Sequence, residues 1–198
     1  MDAAYPVSLE GEVDPNLSRW LWLVKWFLAI PHYVVILLLW IAFVVLTVVA
    51  FFAILFTGKY PKGIFDFNVG VLRWTWRVGF YSISALGTDK YPPFSLKAQD
   101  YPATLDVEYP EQLSRGLVLV KWLLAIPHFI VVGIFHGGVQ SGGLNSWIVL
   151  FAAIALLFTG RYPISLFDLV MGFNRWAFRV TVYASLMRDE YPPFRFSP

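Results

Sequence analysis

The chain has no cysteine among its 198 residues, which excludes disulfides, thiolate metal sites and cysteine nucleophiles and leaves the redox compartment open. Charge is scarce as well. Asp, Glu, Lys and Arg make up 14% of the sequence, against about 25% in soluble domains, and residues 26–58 and 122–160 contain none of the four. No nucleophile–base–acid triad, paired carboxylates or HExxH motif stands out, and the glycines between Gly137 and Gly143 follow no phosphate-loop spacing. The segment before the first apolar run is acidic and lacks both a basic n-region and a small-residue cleavage site, so no signal peptide is expected and the mature chain is expected to start near Met1. The net charge of +2 is too small to point to nucleic acid.

What is present is apolar and aromatic: 58% of residues are hydrophobic and 19% aromatic. Since ~20 apolar residues cross a hydrocarbon core of ~30 Å, the two uncharged stretches read as membrane-spanning.

The sequence also repeats itself. Tyr5-Pro6 recurs as Tyr101-Pro102, Leu17-Ser18-Arg19 as Leu113-Ser114-Arg115, and VKWFLAIPH ending at His32 as VKWLLAIPH ending at His128, all 96 positions apart. LFTGKYP from Leu55 recurs as LFTGRYP from Leu157, Phe65-Asp66 as Phe167-Asp168, and RWTWRV from Arg73 as RWAFRV from Arg175, now 102 apart. The second copy has therefore gained six residues between His128 and Leu157. Both copies close on Tyr-Pro-Pro-Phe, at Tyr91 to Phe94 and Tyr191 to Phe194. The division is into residues 1–97 and 98–198. This ordered set of motifs, once per half, resembles the bacterial membrane family of domain of unknown function 4389. The resemblance implies a membrane unit with helical spans and carries no activity, cofactor or catalytic residue.

A helix over residues 17–57 would be ~60 Å long at 1.5 Å per residue, twice the hydrocarbon thickness. The inserted HGGVQSGGLNS, residues 136–146, is Gly-rich and polar, and it marks a turn. Each half then reads as a transmembrane hairpin, residues 17–40 with 41–57 and residues 113–136 with 147–159, kinked at Pro31 and Pro127. The turn near Trp40 to Phe43 has no Gly or Pro, which leaves a second reading: a short interfacial helix followed by one span from Pro31 to Thr57. The hairpin puts Arg19, Lys59, Lys62, Arg115 and Arg161 on one side, so the positive-inside rule predicts a multi-pass protein of the bacterial cytoplasmic membrane with both termini cytoplasmic.

A third helix follows in each copy, near residues 64–86 and 165–186. At ~100° per residue, Gly70, Arg73 and Arg77 fall within about 40° of Asp66, and Asp168, Gly172, Arg175 and Arg179 repeat the stripe. Arginine is costly at a bilayer centre, so these helices are expected to be amphipathic and interfacial, with Trp74, Trp76 and Trp176 at the acyl boundary. If they span instead, the two halves are inverted with respect to each other. VSLEGEV from Val7 and ATLDVE from Ala103 alternate like strands and, with the closing Tyr-Pro-Pro-Phe tails, are expected to form a small cytoplasmic sheet. The fold class is thus an all-α integral membrane protein of two tandem repeats with short terminal β-strands.

His32 and His128 each follow a proline inside an apolar run, and Lys25 and Lys121 precede them by seven residues on nearly the same helical face. Intramembrane ionisable groups invite a functional reading, here a proton relay, against a plainer one in which each imidazole bonds backbone freed by the proline. Haem held by His32 and His128 is set aside because nothing else marks a porphyrin pocket, and no metal or other cofactor is expected. Arg73, Arg77, Arg175 and Arg179 with Trp74 and Trp176 make a candidate anionic-lipid headgroup site, since guanidinium binds phosphate bidentately. The competing structural reading pairs Asp66 with Arg73 or Lys25, and Asp168 likewise. The leading expectation is a non-catalytic accessory or scaffold subunit of a larger membrane complex, bound to lipid and to a protein partner or a second copy. The alternative is a small transporter or channel lined by Lys25, His32, Lys121 and His128, and an enzyme acting on lipid comes third.

Overall fold

The computed structural model describes residues 5–137 and 143–197. Strand β1 (Val7–Gly11) and strand β2 (Ala103–Val107) pair antiparallel, with Leu9 opposite Leu105. Those two leucines are equivalent positions of the repeats, 96 apart. A pseudo-two-fold axis therefore passes through this pair, normal to the ribbon. Alternation decides the faces: Val7, Leu9, Ala103, Leu105 and Val107 are buried, whereas Ser8, Glu10, Thr104 and Asp106 are exposed. The ladder is extended symmetrically by Glu12 N–H to Pro102 O at 2.9 Å and Glu108 N–H to Pro6 O at 3.0 Å. The expected sheet between the repeats is present, but the Tyr-Pro-Pro-Phe tails take no part in it.

The first repeat continues with α1 (Trp22–Leu28), α2 (Ile30–Thr57) and α3 (Lys62–Tyr81). The turn expected near Trp40 does not occur. Residues 41–57 carry no Gly, Pro or charge, so nothing interrupts α2, and the reading with a short helix before one long helix is the one found. The break falls at Ala29, just before Pro31, whose ring cannot follow an unbroken helical turn. Gly58, at φ 73°, ends α2 in the left-handed conformation that glycine adopts without penalty.

In the second repeat α4 (Leu117–Leu124) and α5 (Ile126–His136) meet at 43° at the equivalent break, and α6 (Leu144–Thr159) and α7 (Ile164–Ala184) follow. By the repeat offsets, α5 and α6 together occupy the positions of α2. The inserted loop expected at 136–146 does separate two helices, although its residues 138–142 lie outside the described residues. Its ends stay together: a Cβ on Gly143 would lie 2.1 Å from Gly137 N. Both pieces pack along α7, Phe135 stacking on Phe173 at 4.2 Å and α6 continuing the contact. The insertion interrupts a helix without turning it into a hairpin.

Three layers result. The ribbon packs its apolar face on α3 and α7, which cross the axis and touch through Trp76 and Phe178 at 5.7 Å. α3 packs on β2 and α7 on β1, so each repeat's strand lies under the other repeat's helix. α2 covers the far side of α3, while α5 and α6 cover α7. The third helices are thus the middle of the protein, and Trp74, Trp76 and Trp176, expected at an acyl boundary, are buried inside it. Among the described residues, α2 alone is long and apolar enough to cross a membrane, or two such segments exist if the bent α4–α5 pair counts as one.

Candidate functional site

The motifs shared by the two halves converge on two matched clusters per repeat. In the first, the break before Pro31 places His32 at the start of α2, fully buried, where its Nδ1 accepts the indole N–H of Trp74 on α3 at 3.0 Å. Phe94 stacks on the imidazole at 3.8 Å, and Tyr91 lies 4.9 Å away. The hydroxyl of Tyr91 donates to Leu28 O at 3.1 Å, a carbonyl at the end of α1 beside the break. His128 repeats every feature: Trp176 Nε1 at 3.0 Å, Phe194 at 4.1 Å, and Tyr191 donating to Leu124 O at 3.1 Å. AIPH, RW and YPPF are therefore three parts of one latch that holds the helix break. Because Nδ1 accepts from the indole, the imidazole carries its proton on Nε2.

In the second cluster Lys25 is buried, with Nζ 2.7 Å from Asp89 Oδ1 and donating to Thr88 O at 2.7 Å, over the ring of Tyr81 at 5.3 Å. The other Asp89 oxygen accepts the backbone N–H of Ser18 at 2.6 Å. Lys121, Asp189, Arg188 O, Tyr183 and Ser114 reproduce it. Burial pulls the Lys25 ammonium below the usual lysine range, opposed by the hydrogen bond and charge of Asp89. Lys25 and His32, expected on one face, each meet a separate set of partners, and His32 Nε2 is buried without one.

The arginine stripe faces the ribbon across the two-fold axis. Arg73 donates to Leu105 O at 2.8 Å and pairs with Asp106 at 2.5 Å, while Arg175 donates to Leu9 O at 3.1 Å and pairs with Glu10 at 3.1 Å. Arg77 and Arg179 are buried against the segments after the closing Tyr-Pro-Pro-Phe, donating to Ser95 O and to Arg195 O and Ser197 O. Gly70 and Gly172 lie under Leu96 and Phe196, where a Cβ would come within 2.8 and 2.6 Å. The expected ion pairs of Asp66 with Arg73 or Lys25 do not form. Asp66 is exposed and pairs with Lys62 at 2.9 Å, and Asp168 is exposed with no ion pair among the described residues. Acid and arginine share a helical stripe, but the acid sits about two to three turns nearer the helix start, where Lys62 is in reach. The tryptophans expected to flank these arginines serve the histidines instead.

Asp89 and Asp189, which neutralise the buried lysines, were not among the residues singled out from sequence. The signal was there, since both are acids two residues before a Tyr-Pro-Pro-Phe. Likewise Arg19 and Arg115 reach across the axis: a Cβ on Gly160 would lie 2.5 Å from Arg19 Nη2, and one on Gly58 3.5 Å from Arg115 Nε.

The family described as Domain of unknown function (DUF4389) matches residues 19–95 and again residues 115–195, which together make up most of the chain. No curated protein and no solved structure matches it.

Proposed function

The chain belongs to the domain of unknown function 4389 family twice over, and we propose that its two copies build one non-catalytic membrane module, an accessory or scaffold subunit seated in the cytoplasmic-side leaflet of a bacterial membrane. The observation that carries this reading is the segregation of surface. Val34, Leu37, Leu38, Ile41, Val45, Val48, Phe52 and Phe56 form an exposed apolar stripe along the whole of α2, and α1, α4, α5 and α6 add Trp26, Phe27, Leu123, Ile130, Phe151 and Phe158. The opposite surface, the outer face of the ribbon, exposes Ser8, Glu10, Thr104 and Asp106. Apolar surface on this scale needs lipid or a partner.

The layering favours helices lying in the membrane plane over helices crossing it. α3 runs back along α2, and β2 runs along α3: Arg73 meets Leu105, while Tyr109 beyond the strand donates to Tyr60 O beyond the end of α2. Were α2 to cross the bilayer, the exposed charges of the ribbon would travel with it to hydrocarbon depth, where each costs several kcal/mol, on the order of 2.5–3.5 on insertion scales. With α2 in the plane, every apolar side chain of the outer layer enters one leaflet and the ribbon stays in water. Both termini then remain on the aqueous face from which the protein inserts.

An accessory role is supported by the fate of the matched polar residues. Lys25, Lys121, Arg73 and Arg175 are occupied by internal partners, and His32 and His128 each accept an indole N–H through Nδ1 while Nε2 is buried without a hydrogen-bond partner; these contacts support a role in holding the fold over one in lining a path. The test uses the absence of native cysteine. Lys59→Cys, after the end of α2, and Lys90→Cys, beside its start, are expected to react with an impermeant maleimide from the same side of sealed vesicles. Labelling from opposite sides would establish a crossing α2 and remove the in-plane reading. Migration of the detergent-extracted native protein at the mass of one chain would remove the accessory reading.

A further inference from the structure

At the edge of the ribbon, between β1 and α7, lies a pocket of about 300 Å³ lined by Tyr5, Ser8, Glu10, Arg175, Arg179 and Arg195. Three guanidiniums face one carboxylate, and that carboxylate, Glu10, is engaged by Arg175 at 3.1 Å. Arg179 is only 2% exposed, lies 5.4 Å from the Tyr5 ring centroid, and makes no ion pair among the described residues. A guanidinium taken out of water against neutral carbonyls alone is poorly compensated.

The first repeat contains the same excess. Arg77 is 3% exposed, and its Nε and Nη1 have no hydrogen-bond partner. The corresponding space is about 30 Å³, because Lys97, Ala98 and Gln99 fold over it beside Arg73. The fold thus places surplus cation at one location twice, and among the described residues the larger space lies at the second.

We propose that the second-repeat pocket binds a phosphate group, free or esterified, through Arg179 and Arg195, with Arg175 completing the charge. The planar fork of Arg195 offers paired N–H donors at the spacing of two phosphate oxygens, while Arg179, whose Nη1 and Nη2 donate to Arg195 O and Ser197 O, holds that segment in place and adds its charge. A volume of about 300 Å³ exceeds what inorganic phosphate fills and leaves room for a glycerol-sized substituent. Arg195 stands between Phe194, which stacks on His128 at the start of α5, and Phe196, and both rings are exposed. A phospholipid with its phosphate in the pocket would have its chains beside the apolar layer. This origin of the phosphate rests on the membrane reading above, whereas the site itself does not.

Binding is measured by titration calorimetry on the full chain in a non-ionic detergent, with inorganic phosphate and with glycerol 3-phosphate. Both are expected to bind, glycerol 3-phosphate more tightly, and Arg195→Gln, an exposed substitution, is expected to weaken each at least tenfold. Arg179→Lys, which keeps the charge and loses the fork, is expected to weaken them as well, while the distant Arg161→Gln leaves them unchanged. The source is read in nanodiscs. Phosphatidylglycerol retained over phosphatidylcholine by the wild type and lost in Arg195→Gln assigns a lipid headgroup, and phosphate affinity indifferent to lipid composition assigns a soluble ligand. No heat with either phosphate compound, or equal affinity in Arg195→Gln and wild type, overturns the site. Since the detergent titration involves no bilayer, its failure is distinct from failure of the maleimide test of membrane seating.

Discussion

The indole N–H of Trp74 reaches His32 Nδ1 at 3.0 Å, fully inside the protein, and Trp176 holds His128 at the same distance in the second repeat. Each bond ties a third helix to the start of the helix packed beside it. Trp74→Phe keeps most of the ring and leaves Nδ1 without a donor, so a loss of about 1–3 kcal/mol is expected. Trp176→Phe is expected to cost the same. Chemical unfolding in detergent measures both, and wild-type stability in either variant would show that the bond contributes nothing.

The Lys25–Asp89 pair gives a sharper contrast between single and double changes. Lys25→Met strands a partly buried carboxylate, and Asp89→Leu strands a buried ammonium. Breaking such a pair from one side costs about 3–5 kcal/mol, whereas removing both charges costs much less. The double variant is therefore expected to be more stable than Asp89→Leu alone, as read from unfolding midpoints. Additive losses would contradict a buried, mutually dependent pair.

Part of the acid sensitivity is expected to arise at Glu190. The hydrogen bond from Arg188, at 2.6 Å, holds its carboxyl below the usual carboxylate range against the opposing effect of burial. A carboxyl whose folded value lies below its unfolded one stabilises the fold fully above the unfolded value. That contribution is lost as pH falls through the carboxylate range to the folded value. Glu190→Gln should flatten the decline of thermal midpoint between neutral pH and about pH 3. A slope unchanged by the substitution would mean that Glu190 contributes nothing to it.

The two glycine caps are expected to differ although their backbones match. Gly160 and Gly58 lie at φ 72° and 73°, where alanine costs about 1 kcal/mol in either. At Gly160 the new methyl would also meet Arg19 at 2.5 Å, while at Gly58 the nearest atom is 3.5 Å away. Gly160→Ala should therefore lower the melting temperature more than Gly58→Ala, and adding Arg19→Ala should recover part of the difference. Equal losses would mean that Arg19 yields without cost.

The repeat, the strands after each Tyr-Pro and the apolar helices were legible because each depends on local pattern. The strands alternate over five residues, and the offsets of 96, 102 and 100 locate the insertion without any structure. The turn at the insertion does not transfer onto Trp40. An insertion bounded by Gly137 and Gly143 can leave a helix and re-enter it beside its exit, so it reports a tolerated interruption and not a fold-wide turn. The stripe through Gly70, Arg73 and Arg77 was likewise legible as one face, but its partners were not. Asp106 belongs to the other repeat, and periodicity within one helix contains no information about an exchange across an axis. Tryptophans beside arginines suit a lipid interface, whereas in this fold the histidines 42 and 48 positions away claim them.

The pairing of Leu9 with Leu105 also sets a schedule for synthesis. Val7 leaves the ribosome first, and its partner Val107 follows 100 residues later. At ~5–20 residues per second that interval is on the order of 5–20 s. Throughout it the leading strand has an open edge and α3 lacks its covering ribbon. The first half of the chain thus spends its early life incomplete, and it closes when its own second half arrives to supply the missing strand.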